Sequence, residues 1–172
     1  ALVEGRPKLL NLKELILYFV EHRHEVVVRR TKFELNKAEE RAHILEGLII
    51  ASDNIDEVIA IIRGSANAEK ARKNLITKFE LSEIQAKAIV EMRLRQLTGL
   101  EQDKLRTEYN ELLIKISDLK DILERKDRRM DIIKNELLEI KEKYGDERRS
   151  KIEYAGGNFS IEDMIPNDKM VI

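Results

Sequence analysis

The longest hydrophobic pattern in the chain lies in its C-terminal half. Apolar residues recur there at alternating steps of four and three positions, and only one member of the series, Lys126, is charged. The series consists of Leu105, Tyr109, Leu112, Ile116, Leu119, Leu123, Lys126, Met130, Ile133, Leu137, Ile140 and Tyr144. Acidic and basic residues fill the positions between them, as on the outer face of a left-handed coiled coil. We therefore predict one long helix over 100–144 that packs through this stripe.

A second periodic pattern predicts another long helix, over 11–52. Its apolar register shifts near His24, which resembles a coiled-coil stutter and does not have to end the helix. Because the two predicted helices are about equally long and are separated by 47 residues, the economical arrangement folds one back along the other as an antiparallel hairpin. In that arrangement Ala42 faces Leu112, so that a large side chain packs opposite a small one.

The connecting segment, 53–99, predicts three short helices, which we call the knob. They are expected over Ile55–Arg63, from about Asn67 to Phe79 and over Ser82–Leu97. The first of these helices is predicted to be capped by Asp53 or Asn54 and to end at Gly64, and the second to be capped by Ser65 or Asn67. The third is predicted to begin with a capping box of Ser82 and Gln85 and to end at Gly99. The third helix carries more apolar surface than the knob needs to bury, which favours contact with a partner.

The fold class predicted from these patterns is all-α, a long antiparallel coiled-coil hairpin with a small three-helix knob at its tip. The ends, 1–10 and 145–172, are expected to be short extended or irregular segments. Ala1 to Val3 resembles the end of a strand. We interpret 1–10 as the end of a preceding domain and 145–172 as a linker toward a following one.

Composition narrows the class of protein further. Lysine and arginine (32) nearly balance aspartate and glutamate (33), so attraction to nucleic acid has to come from local clusters. The absence of cysteine excludes a disulfide framework and a thiolate metal site. No apolar run has membrane-spanning length. A soluble, cytoplasmic protein is therefore the expectation.

No complete active site is visible in the sequence. The glycine pair Gly156-Gly157 lacks the Lys-Ser/Thr sequence that follows in a phosphate-binding loop. His22 and His24 point to different sides of a helix and His43 is distant, so a metal site is not expected. We predict no catalytic, metal-binding or cofactor-binding residue in this chain.

One charge cluster is a candidate for DNA contact. We call it the basic belt, and it comprises His22, Arg23, His24, Arg29, Arg30 and Lys32 on the first helix with Arg125, Lys126, Arg128 and Arg129 on the second. The antiparallel arrangement brings Arg29 level with Arg125. Arg29, Arg30, Arg125 and Arg128 are the candidate contacts to a phosphate backbone. The alternative is that the belt is an ordinary solvated face of a coiled coil.

Several segments carry a close resemblance to a known family. They are Arg29–Leu35, Arg41–Leu48, Asn54–Asp56, Gln85–Ile89, Arg93–Glu101 and Tyr144–Arg149. On these segments the chain resembles the A subunits of bacterial DNA gyrases, which are type IIA topoisomerases, from the end of the tower domain through the coiled coil and exit gate. The tail from Ile161 resembles the lead-in to the C-terminal DNA-wrapping domain of that family.

The resemblance implies a mechanical role in an ATP-dependent enzyme that introduces negative supercoils by double-strand passage. In the family, two A subunits enclose a cavity, and DNA leaves it between the two knobs. The catalytic tyrosine of the family lies upstream in an Arg-Tyr-Thr context, which none of Tyr18, Tyr109, Tyr144 and Tyr154 has. ATP and Mg²⁺ belong to the partner B subunit. This chain alone is expected to be inactive.

The resemblance also implies a homodimer through the knob. We predict its contact residues to be Ile84, Ala88, Met92 and Arg95, which share one stripe of the third knob helix, whereas Ile89 and Leu97 hold that helix to its own hairpin. Two alternatives stay open. One is the same region of the topoisomerase IV A subunit, and the other is a coiled-coil dimerisation or scaffold module without a DNA role.

Overall fold

Most of the described residues lie in helices, which confirms the all-α class. The computed structural model describes residues 1–93 and 99–151, without the side chain of Leu100. Within them the elements are β1 (Leu2–Val3), β2 (Arg6–Pro7), α1 (Leu12–Asp53), α2 (Ile55–Gly64), α3 (Ala68–Phe79), α4 (Glu83–Val90), α5 (Gly99–Glu124) and α6 (Lys126–Tyr144). The chain divides into two compact units, 1–137 and 138–172. In the described part of the second unit, the end of α6 is followed by a segment in which Arg149 pairs with Asp146 at 3.0 Å.

The strand predicted at the N-terminus is present as one half of a minimal hairpin. β1 pairs antiparallel with β2, and Leu2 lies opposite Pro7. The turn between them places both Glu4 (φ 50°) and Gly5 (φ 77°) in the left-handed region. Two such residues make the tight turn whose twist matches that of paired strands.

Helix α1 begins with a complete capping box. The Asn11 side chain accepts from the Glu14 backbone N–H at 2.9 Å, and the Glu14 carboxylate accepts from the Asn11 backbone N–H at 3.0 Å. The two bonds satisfy donors that a helix start leaves unpaired. The helix then continues to Asp53 without interruption. Its bounds lie one residue from the predicted 11–52, and the register shift near His24 does not end it.

The knob encloses the main hydrophobic cluster. Helices α2, α3 and α4 pack with the C-terminal part of α1 around Leu45, Leu48, Ala51, Val58, Leu75, Leu81, Ala86 and Ile89. Leu45 and Leu75 are fully buried. Each such leucine contributes roughly 1.5–3 kcal/mol by leaving water, so the cluster fixes the three short helices that could not persist alone.

The knob helices begin near the predicted positions, but one of the predicted capping residues makes a different hydrogen bond. The Asn67 side chain caps α3 by accepting from the Lys70 N–H at 2.8 Å, and Ser82 forms the predicted capping box with Gln85. Asn54 precedes α2 but makes no side-chain cap there. Its amide donates instead to the Ile50 carbonyl at 2.9 Å, which satisfies an acceptor at the end of α1.

The third knob helix is shorter than predicted. α4 ends at Val90 because the chain tightens there, and the Met92 N–H donates to the Ile89 carbonyl three residues back at 3.2 Å. The apolar pattern gave no stop at this point, because neither glycine nor proline marks it. Gly99, predicted to end the helix, is the first residue of α5. Leu97 lies outside the described residues.

Ion pairs show that α1 runs antiparallel to α5 and the start of α6. The C-terminal end of α1 pairs with the start of α5 through Asp53 and Arg106, and the N-terminal part of α1 pairs with α6 through Arg23 and Glu136. Between them Arg41 binds Glu108 through two bonds of 2.8 and 2.9 Å. The supercoiling of a true coiled coil is a finer claim and stays a prediction.

The prediction of a single long helix over 100–144 is wrong in one respect. The helix is interrupted at Arg125, which separates the end of α5 at Glu124 from the start of α6 at Lys126. The heptad pattern passed over this break because its members on both sides keep the same spacing. Lys126, the charged member of the series, begins α6 and is exposed.

Candidate functional site

The predicted partner-binding stripe is divided between exposed and packed residues. Ile84, on the first turn of α4, is 61% exposed. Ala88 and Met92 are half-buried against the hydrophobic cluster of the knob, and Met92 lies beyond the end of α4. Arg95 falls outside the described residues. Ile84 is therefore the member of the stripe that presents a large apolar side chain to solvent.

The opposite face of α4 is held to α1 by a close approach that the sequence did not predict. Gln85 is buried, and its side-chain amide donates to the His43 carbonyl at 2.8 Å. Gly47 permits this contact, because a Cβ there would lie 2.7 Å from both Cβ and Cγ of Gln85. The available signal was a glycine in the interior of a long helix, where glycine is otherwise unfavourable.

Ser82, His43 and Glu46 superficially resemble a hydrolase triad. Ser82 Oγ lies 2.7 Å from His43 Nε2, but His43 Nδ1 and the Glu46 carboxylate are 3.9 Å apart, too far for a hydrogen bond. Ser82 Oγ also accepts from the Gln85 N–H at 3.2 Å as the cap of α4. The three residues therefore serve as a polar link between α1 and α4, because the histidine lacks the hydrogen-bonded carboxylate that orients the base of such a triad.

Carboxylates pair with three of the four arginines that were predicted to contact DNA. Arg30 binds Glu136 at 2.6 Å, Arg125 binds Asp127 at 2.7 Å, and Arg128 binds Asp118 and Asp121 at 2.9 and 2.5 Å. Arg29 is exposed and has no ion-pair partner within 4.0 Å among the described residues. Of the four arginines predicted to contact DNA, Arg29 thus retains the most available charge.

Glu136 is the carboxylate at which two belt arginines converge. Its two oxygens accept from Arg30 and from Arg23. The hydrogen bond from Arg30 and the charges of both guanidinium groups hold the pKa of Glu136 below its ordinary value, while partial burial opposes this effect. Glu136 is therefore an anion at neutral pH that joins α6 to α1.

A further polar cluster was missed by sequence reasoning, although its residues belong to the belt. Arg129 Nε donates to His24 Nε2 at 2.9 Å, and its Nη1 donates to the Ile122 carbonyl at 2.9 Å and to the Leu123 carbonyl. Lys126, a charged residue within an apolar series, was the available signal that packing changes here.

The described part of the chain offers neither a metal site nor a membrane span. In it, no three His, Asp or Glu side chains are grouped so that they could hold a metal ion. Over the same residues, the helices lack any stretch sufficiently long and apolar to span a bilayer.

Comparisons with known proteins agree with the resemblance found in the sequence. The model of the family of DNA gyrase/topoisomerase IV A subunits matches residues 1–138. Over the whole chain, the DNA gyrase A subunit of Halalkalibacterium halodurans is 55% identical, and those of Clostridium acetobutylicum and Staphylococcus aureus are each 51% identical. The chain spans 21%, 21% and 20% of these three relatives.

The helical fold and these matches define the class as a subunit of type II DNA topoisomerases. Within that class, the chain belongs to the family of DNA gyrase/topoisomerase IV A subunits.

Proposed function

We propose that this chain forms the strut and DNA exit gate of an ATP-dependent type IIA topoisomerase that introduces negative supercoils by double-strand passage. The observation that carries the proposal is the alignment of all 172 residues with DNA gyrase A subunits at 51–55% identity. The paired helices α1 and α5 are the strut, and the knob of α2, α3 and α4 is the gate.

In this proposal two copies of the chain meet through the knob. Ile84 supports it, because a large apolar side chain lies exposed on α4 while Ala86 and Ile89 of the same helix are buried. Burying Ile84 against a second copy would remove an unfavourable contact with water. A gate that opens in each cycle requires an interface of modest area, and so a dimer that depends on concentration.

The chemistry of the enzyme lies outside this chain in the proposal. The isomerase activity belongs to the whole complex, in which the A subunit supplies its tyrosine from another domain and the B subunit supplies ATP and Mg²⁺. The complex works on chromosomal DNA in the cytoplasm. The chain itself contributes geometry, and its partners are a second copy of the same subunit, the B subunit and transported DNA.

The basic belt provides a weak, non-specific contact to DNA in passing. Arg29 makes this contact directly. Arg30, Arg125 and Arg128 each have to leave a carboxylate partner in order to bind a phosphate, which reduces the contribution of each to the affinity for DNA. The contact should weaken as salt rises, because phosphate binding releases counterions. Reversing the charge of all four arginines should lower strand passage at low salt, and unchanged strand passage would identify the belt as a solvated face.

A chimera tests the proposed function. The chain replaces the matching segment of the Halalkalibacterium halodurans gyrase, and supercoiling of relaxed plasmid is measured with its B subunit and ATP. We expect the chimera to supercoil DNA. Ile84→Glu should lower its rate about tenfold, the effect of roughly 1.4 kcal/mol on the gate. Ile114→Glu, at an isoleucine 73% exposed on α5, should leave the rate within about twofold.

The chimera also separates the alternatives. A folded chimera that is inactive would contradict the proposal and favour a scaffold module without a DNA role. The family model covers both gyrase and topoisomerase IV. A chimera that unlinks catenated circles but fails to supercoil would therefore favour the topoisomerase IV alternative.

A further inference from the structure

The break between α5 and α6 has no cause in the local sequence. The residues around it are Leu123, Glu124, Arg125, Lys126 and Asp127, with neither proline nor glycine. Sharp interruptions of long helices otherwise arise at those residues or where a side chain enters the backbone hydrogen-bond ladder. The second of these is observed at this position.

Arg129 is the side chain that enters the ladder. Its Nη1 donates to the carbonyls of Ile122 and Leu123, in the last turn of α5. In a continuous helix, those two carbonyls would accept from the backbone N–H groups four residues further on. One guanidinium nitrogen therefore takes the place of two backbone donors. Its positive charge also suits the carbonyl end of a helix.

The same guanidinium is fixed from the other side by α1. Arg129 Nε donates to His24 Nε2 at 2.9 Å, so this imidazole nitrogen is the acceptor of the bond. One side chain thus joins α1, α5 and α6 at the point where the helix is interrupted. His24 also lies where the apolar register of α1 shifts.

A neighbouring arginine bridges the break on its outer side. Arg128 of α6 binds Asp118 and Asp121 of α5, on the other side of Arg125. These pairs are solvated and contribute little each. The Arg129 contacts are half-buried, so their loss leaves polar groups without water or partner, which costs more.

We propose that the α5–α6 junction is a conformational joint, and that Arg129 is the positioning residue that holds it in the observed geometry. The joint bends when the guanidinium leaves the Ile122 and Leu123 carbonyls, because no continuous backbone ladder resists bending there. His24 sets the orientation of Arg129. This inference goes beyond the proposed gate and does not depend on it.

The first test measures hydrogen exchange along the whole 172-residue chain. Arg129→Met keeps the side-chain length and removes the donors. We expect amides of residues 129–132, the first of α6 that donate to backbone carbonyls, to exchange about tenfold faster or more, equivalent to roughly 1.4 kcal/mol of local opening, with α3 and α4 unchanged. The matched control is Arg125→Met, which removes an exposed ion pair beside the same break and should change exchange less than about twofold.

The second test measures bending directly. Spin labels at Ser117 on α5 and Asn135 on α6, both exposed, span about 27 Å along the helix axes, which suits pulsed dipolar spectroscopy. The distance distribution should be narrow in the parent chain and broad in Arg129→Met. Arg129→Lys should restore part of the narrow distribution, because an ammonium still donates to carbonyls. His24→Gln, which keeps an acceptor, should disturb it less than His24→Leu.

Equal exchange and equal distances in Arg129→Met and Arg125→Met would overturn the proposal. If Arg129→Met loses its helical signal altogether, His24→Leu decides, since it removes one contact and leaves the carbonyl bonds. Faster exchange confined to 129–132 in that variant supports the joint. Unchanged exchange there contradicts the role given to His24 and Arg129.

Discussion

The knob and the α5–α6 joint are stabilised by different interactions. The knob is a cluster of apolar side chains from four helices, with capped helix starts and Leu45 and Leu75 fully out of water. The joint combines a set of arginine contacts around an interrupted helix with the burial of Ile122 and Ile133 on either side of it. Hydrophobic burial is strong and tolerant of small shifts, whereas a half-buried hydrogen-bond set has few alternatives once one partner leaves. In the proposed joint, this difference makes the knob the rigid end of the hairpin and the α5–α6 junction the place where it bends.

Removing part of the knob cluster should give the largest effect on stability. Leu75→Ala deletes a fully buried side chain on α3 and leaves a cavity, so the free energy of unfolding should fall by about 2–5 kcal/mol. Chemical denaturation followed by circular dichroism measures this fall. Leu113→Ala, at a 44% exposed leucine on α5, is the control and should cost well under half as much. Equal losses would mean that the knob is not the better packed region.

The close approach of α1 and α4 should give the next largest effect. Gly47→Ala places a methyl group 2.7 Å from Gln85 and forces that buried side chain to move, so we expect a loss of about 1–3 kcal/mol in unfolding free energy. Gly64→Ala is a matched control. A Cβ there meets nothing within 4 Å, and the substitution should be neutral or slightly stabilising. A neutral Gly47→Ala would show that α4 shifts freely on α1.

The same two regions explain what the sequence could predict. Apolar spacing and capping residues predicted α1, the starts of the knob helices and the burial of Ile89, because these features act within a few residues. The end of α4 is a local tightening of the chain that neither glycine nor proline marks. The break at Arg125 coincides with a contact across space, Arg129 with His24, which no local pattern encodes. The spacing placed Arg29, Arg30, Arg125 and Arg128 in one cluster but did not reveal that acidic residues pair with three of them.

The smallest predicted effect concerns Glu136 and pH. Its pKa is lower in the folded chain than its ordinary value of 4.5, so its ionised form stabilises the folded state at neutral pH. That contribution is lost as the pH falls below about 4.5 and through the folded pKa. Because these side chains are partly solvated, it amounts to about 0.2–1 kcal/mol.

Glu136→Gln checks this sign. The parent should be more stable than the variant at pH 7, and the difference in thermal midpoint should disappear by about pH 3. A difference that grows on acidification would contradict the assigned direction. Glu139→Gln, at an exposed position on α6, is the control.

Sedimentation velocity of the 172-residue chain tests the central claim, association through the knob, most directly. We expect a dimer whose fraction rises with concentration, and Ile84→Glu should weaken association about tenfold or more while the chain stays folded. Ile114→Glu should not change it. Met92 is a poorer position for this test, because its side chain packs on the knob cluster and a charge there would disturb folding. A chain that remains monomeric at all concentrations, or a dimer unaffected by Ile84→Glu, would contradict the assignment of the gate to this face of the knob.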